Sequence, residues 1–355
     1  MKNYMKLIWA AGLLLCAACG KLPEGESFPD PESRLTVNLD GLPALQTKAT
    51  TAASEAEKKL NSLDLFVFDA NGMLDISHGC TAEEISAKKA TLRIKTGQKT
   101  VVAAANLAGG VLNDARGVST LAALDAVNLS LSDNVSGFVM YGRSAATVTS
   151  GTGSSVTVDL GRGVARISLA SVKNALPAPY GSVKLLRTFL CNVVGNQNLS
   201  GSAAPATWLN QEATSDHQKT HVIGTGAYRA QVEALTFADL SGESVATGAT
   251  KSFSPVKSLY AFPNALTTPN NGFNATFTPT ATVLMVVVEI KGARYYYPVP
   301  LKNGIEANTA YQVDLTLAGL GNTEDDPFAK IEKADLVATV STSDWTTGTG
   351  ISETI

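Results

Sequence analysis

The stretch SLDLFVFDANG, residues 62–72, constrains this chain more than any other. Leu63 to Phe68 reads as a β-strand, and Asn71-Gly72 closes it with a turn signal. The same grammar recurs along the chain. RLTVNL (34–39) alternates Leu35, Val37 and Leu39 with polar partners, as a half-buried strand requires. ATLRIK (90–95) and TVVAAANL (100–107) flank a turn at Gly97, followed by GFVMYG (137–142) and SVTVDL (155–160). Further strand signals lie at 161–172, 182–194, 257–264, 280–292, 293–301, 310–319 and 334–345. Leu284 to Val288 is apolar on both faces, which predicts a central strand covered on each side. Helical spacing is confined to short pieces, at Ser54–Leu60 and at Leu121, Leu124 and Val127. The weakly patterned stretch 196–250 is expected to be a long, partly irregular surface excursion. With 30 Gly and only 6% aromatic residues, the composition suits short strands and turns. The expected fold is mainly all-β with short helical crossovers; the length favours two domains in tandem, and the first reads as a small β-sandwich.

The beginning of the chain has a different character. Lys2 and Lys6 precede an apolar run from Leu7 to Ala18, too short to span a bilayer and shaped like the core of a secretory signal. Ala17 and Ala18 followed by Cys19 resemble the lipobox of bacterial lipoproteins, in which lipid is attached to the cysteine thiol before cleavage. Cys16 departs from the Leu usual there. Loss of residues 1–18 removes two lysines and no acids, moving the formal charge from −3 to −5. That is too mild for a nucleic-acid partner or an electrostatic membrane patch. Residues 21–33, rich in Pro, Gly, Glu and Ser, read as a tether. Beyond Cys19 only Cys80 and Cys191 remain, to be either one disulfide or two thiols, buried thiols being the simpler reading.

A catalytic or metal constellation is not expected. His217 and His221 in HQKTH have helical i, i+4 spacing, but there is no adjacent Glu and no third ligand in view. His78 and Cys80 lack a positioning partner for nucleophilic chemistry. GTGSS (151–155) is not followed by the Lys-Ser or Lys-Thr of a phosphate loop, and Glu83-Glu84 and Asp325-Asp326 read as solvated turns. No enzyme activity and no cofactor are expected.

The order of these pieces resembles the fimbrillin family, the major subunits of type V pili in Bacteroidales. The likeness is carried by the lipoprotein signal, an early strand, a basic segment, LDLFVFDANG, TGQKTVVAAANL, VARISLASV, NTAYQVDLTLAGLG and the closing ADLVATVSTSDW. It implies two transthyretin-like sandwiches and export as a lipoprotein to the outer membrane. A trypsin-like protease, usually Arg-specific, would then cut after the first strand. The opened groove would accept a strand from a neighbouring subunit, giving an extracellular fimbria that supports adhesion. Partners would be other copies of the chain, other pilus subunits and the protease.

Carried onto this sequence, lipidation falls on Cys19 and the displaced strand is Leu35, Val37 and Leu39. A cut after Arg34 would leave that strand in place, so Lys48-Ala49, in the exposed connector after it, is the expected site, with Lys standing where Arg is usual. The regions expected are a signal peptide (1–18), a propeptide (19–48), a first sandwich (49–160) and a second (161–355). The donor strand would be Leu336, Ala338 and Val340, with Trp345 either anchoring its end or belonging to its own domain's core. A competing reading is a lipoprotein that stays anchored and binds glycan or host protein, for which RYYYP (294–298) offers the one aromatic cluster.

Overall fold

The computed structural model of the chain describes residues 33–39, 54–151, 153–211, 232–268, 278–331, 336–344 and 350–354. Strands are numbered in chain order. A three-stranded sheet holds β1 (Arg34–Asn38) between β4 (Lys89–Arg93) and β8 (Ser154–Thr157). Its partner sheet is ordered β3 (Leu74–Gly79), β2 (Leu63–Phe68), β5 (Gly97–Ala105), β7 (Met140–Val148) and β9 (Gly161–Arg162).

The second sandwich begins with β10 (Ala165–Asn174). One of its sheets is ordered β17 (Thr250–Ala261), β10, β20 (Thr309–Leu317), β21 (Leu336–Asp344) and β22 (Gly350–Thr354). The other is ordered β15 (Phe237–Asp239), β11 (Val183–Cys191), β18 (Val283–Ile290) and β19 (Ala293–Pro300), with β16 (Ser244–Val245) also on β11. A short ladder joins β6 (Asn128–Ser130) to β13 (Asn196–Asn198), and another joins β12 (Val193–Val194) to β14 (Trp208–Leu209). This is the all-β, two-sandwich architecture expected.

The two units repeat one topology. β1 runs antiparallel to β4 and parallel to β8; β10 runs antiparallel to β17 and parallel to β20. The first strand of each unit therefore lies between two neighbours and is hydrogen-bonded on both sides. The difference lies beyond the parallel partner, where β20 carries β21 and β22 but β8 carries no further strand among the described residues.

Periodicity explains the layers. In β18, Leu284, Val286 and Val288 join the main core, while Val283, Met285 and Val287 join a second core with Phe189, Cys191, Tyr296 and Phe328. The sheet is thus covered on both faces, as a run without polar alternation requires. Cys191 sits in that second core and Cys80 at the end of β3, and no disulfide links them.

Several elements escape the sequence reading, among them β6, β22, the helix Ala82–Ala87, where Glu83 and Glu84 are expected in a solvated turn, β3 and the helix Gly109–Arg116. β3 is an edge strand whose residues are only half buried, so its alternation is weak. The helix Gly109–Arg116 opens on two glycines, which are poor helix formers. Parts of the expected excursion at 196–250 are ordered as β13 to β16. The expected helices appear as α1 (Glu55–Lys58) and Leu121–Asp125, both entered through a side-chain cap, Ser54 and Thr120.

Candidate functional site: the groove around the first strand

β1 is short, but every second side chain is engaged in the core. Leu35 and Val37 are fully buried and Leu39 is 1% exposed. In register, Leu35 faces Leu92 and Val37 faces Ala90 on β4, while Leu35 faces Ser154 and Val37 faces Val156 on β8. The ladder continues past the strand ends: Leu39 N–H donates to Lys88 O, Ile94 N–H to Ser33 O and Val158 N–H to Asn38 O. Buried Ala90, Leu92 and Ile94 on one side and Val156 and Val158 on the other line the slot that β1 fills.

The outer face is polar and cationic. Arg34, Lys89, Thr91 and Arg93 are exposed there, and the Thr36 and Thr91 hydroxyls lie 3.4 Å apart. Removal of β1 would leave an apolar slot with two unsatisfied strand edges, a template for another strand of the same alternation.

The other residues singled out from the sequence are placed as follows. Leu336, Ala338 and Val340 lie on β21, which pairs with β20 over nine positions from Thr309↔Asp344 to Leu317↔Leu336. Ala338 and Val340 are buried there, and Val337, facing the other way, is 37% exposed. Cys19, Lys48, Ala49 and Trp345, and also His217 and His221, lie outside the described residues. The RYYYP cluster presents little aromatic surface, because Tyr296 and Tyr297 are fully buried and Tyr297 donates to Gly319 O. Near His78, the Cys80 thiol is pushed up to about 12, by burial first and then by the Glu84 and Asp64 carboxylates, the opposite of an activated nucleophile.

One cluster went unread. Just downstream of the expected cut, Glu57 is buried against the second sandwich: Arg166 Nη1 donates to its carboxylate at 3.0 and 3.3 Å, and Tyr260 OH donates at 2.7 Å. Arg162 Nε donates to Glu57 O at 3.0 Å, and Arg162 Nη1 also reaches Asn308 Oδ1. The signal available was SEAE at 54–57, a capping box that fixes α1 but says nothing of what its third residue meets.

Solved structures share this architecture. A candidate cell adhesion protein from Bacteroides eggerthii is 24% identical, with a TM-score of 0.56 over 90% of this chain and 98% of that one. Another from Parabacteroides distasonis is 14% identical, with a TM-score of 0.58 over 89% and 97%. A fimbrilin, FimA, from Porphyromonas gingivalis is 14% identical, with a TM-score of 0.57 over 90% and 99%. At these identities the likeness is one of fold, and it defines the class as the two-sandwich fold of solved fimbrillins. Within that class, residues 33–171, from β1 into β10, match the family of the major fimbrial subunit protein (FimA), in agreement with the fimbrillin resemblance drawn from the sequence. That family is a structural one, not a family of enzymes. No curated protein matches the chain.

Proposed function

We propose that the chain is a shaft subunit of a cell-surface pilus, exported as a lipoprotein on Cys19, cut at Lys48-Ala49 and polymerised by strand exchange. The observation that carries this reading is the position of β1, a central strand with Leu35, Val37 and Leu39 buried, lying before the proposed cut. Arg34 lies within the hydrogen-bonded strand, where a protease finds no free extended backbone, which favours Lys48.

The donor would be β21. Leu336, Ala338 and Val340 repeat the every-second-residue apolar pattern of Leu35, Val37 and Leu39. Because β21 pairs with β20 in its own chain, the exchange requires β21 and β22 to peel from β20 as β1 leaves its slot. Leu336 and Val340 at roughly 1.5–3 kcal/mol each and Ala338 at about 0.8 kcal/mol are worth on the order of 4–7 kcal/mol before ordering costs. A bond of that size makes subunit exchange slow, as a pilus shaft needs. The cut would discard Cys19 with its lipid, so that the lipid acts as an export address on the outer membrane and the mature subunit becomes extracellular. Among the described residues no helix is long and apolar enough to cross a membrane.

The test is the intact mass and N-terminal sequence of the protein recovered from the cell surface. A chain starting at Ala49, free of lipid and running as SDS-resistant ladders, is the expected result. An acylated Cys19 with an uncut connector would overturn the shaft reading in favour of an anchored lipoprotein.

A further inference from the structure

His78, Cys80 and Glu84 converge at one corner of the first sandwich. A strand points residues i and i+2 to the same face, so Cys80, just past the end of β3, follows His78. Cys80 N–H donates to Leu63 O at 2.8 Å and holds this corner against β2. Glu84 returns to the same place through the helix α2 (Ala82–Ala87). The Thr81 hydroxyl accepts from Glu84 N–H, and Glu84 Oε2 accepts from Thr81 N–H at 2.9 Å, a complete capping box. The same carboxylate oxygen stands 2.9 Å from His78 Nε2. One nitrogen, one sulfur and one carboxylate oxygen thus lie within 4.8 Å of one another. The His78 and Glu84 side chains are 32% and 24% exposed, so an ion has access from solvent.

We propose that His78, Cys80 and Glu84 form a binding site for a divalent transition metal, with Zn2+ the ion that suits their donor set. Imidazole, thiolate and carboxylate bind Zn2+ at about 2.0–2.3 Å, so donors around one tetrahedral ion stand about 3.3–3.8 Å apart. The three donor atoms already lie within 4.8 Å of one another, so that spacing is about an ångström away. On binding, Cys80 exchanges its S–H bond for a metal–sulfur bond and the proton leaves to solvent. Neutral imidazole, thiolate and carboxylate then place two negative charges on a doubly positive ion. The nearby Asp64 carboxylate is already engaged by Arg116, whose Nε donates at 2.8 Å, so the guanidinium charge is matched. The capping box plays the outer-shell part, fixing Glu84 before the ion arrives. Three protein ligands leave the fourth position open to water or to a group from another molecule.

This site is independent of the strand-exchange reading and is tested on the purified full chain with Co2+ and then Zn2+. The expected result is a saturable 1:1 thiolate-to-cobalt charge-transfer band that Zn2+ displaces. Cys80→Ser should abolish the band, and His78→Ala should weaken Zn2+ binding at least about tenfold, the scale on which even outer-shell changes act. Glu84→Gln keeps the capping box, since Gln serves there as Glu does. It should therefore lose affinity by a similar factor with Tm unchanged, which separates ligation from folding. Absence of a thiolate band in the parent protein, or Zn2+ binding unaffected by Cys80→Ser and Glu84→Gln, would overturn the proposal. So would binding that disappears only in the His217→Ala/His221→Ala variant.

Discussion

Arg34, at the head of β1, stands directly across from Arg93 of β4 in the antiparallel register. Like charges at facing positions weaken a strand pair by roughly 0.2–1 kcal/mol, and opposite charges strengthen it by a similar amount. The strand proposed to leave thus carries a repulsion on its exposed face while its buried face holds it in place. Arg34→Glu should raise the stability of the uncut protein by about 1 kcal/mol in urea unfolding, and less at high salt because the pair is exposed. An unchanged or lowered midpoint would show that the facing arginines do not strain the strand.

The buried face sets the larger cost. Leu35→Ala removes a fully buried side chain from a two-sided slot, and the expected destabilisation is about 2–5 kcal/mol in the same assay. A loss below about 1 kcal/mol would mean that β1 contributes little to the uncut fold.

If β21 fills the slot in a neighbour, a synthetic peptide of residues 334–345 should bind the protein cut after Lys48 and block ladder formation. It should leave the uncut protein unbound, because there β1 occupies the slot. Val340→Asp in the peptide should cost most of its affinity, since a carboxylate would have to be buried without a partner. Equal binding to cut and uncut protein, followed by calorimetry, would count against exchange into this groove.

Glu57 and Arg166 have side chains only 5% exposed. Removing one member of a buried pair leaves the other charge uncompensated, so Glu57→Gln and Arg166→Met should each destabilise by about 3–5 kcal/mol. The double variant should cost less than the sum, with a coupling above about 1 kcal/mol. Additive losses would show that the two residues act separately. Because Glu57 follows the proposed cut, this pair would keep the new N-terminal segment tied to the second sandwich after β1 has gone.

Asp69 accepts from Asn71 N–H at 2.9 Å and Met73 N–H at 2.8 Å in the turn after β2. Its carboxyl is held below the ordinary value, chiefly by the Met73 hydrogen bond. A depressed folded-state pKa gives stability that is present above the unfolded value of about 3.9 and is lost as pH falls through the folded one. Urea midpoints at pH 6 and about pH 3 should therefore differ less in Asp69→Asn than in the parent. An identical acid loss in both would remove Asp69 from the account.

Much of the fold could be read from local pattern. Leu35, Val37 and Leu39 announce a one-sided strand, and Leu284 to Val288 announce a two-sided one, because burial of a face is written into the two-residue period. The edge strand β3 was missed for the same reason, since half-buried side chains leave little alternation to see. The capping boxes SEAE and TAEE mark helix starts, yet neither tells what Glu57 or Glu84 will meet.

By itself the sequence determined most of the longer strands, which of their faces are apolar and where turns interrupt them, all consequences of neighbouring residues. Only the tertiary structure decided that β1 lies parallel to β8 and antiparallel to β4, that Glu57 reaches Arg166 and Tyr260, and that Glu84 returns to His78 and Cys80. The physical reason is that backbone ladder bonds are alike for every residue pair. A strand's period therefore says that it will be covered, while its partners are chosen by how all the apolar faces can be buried at once.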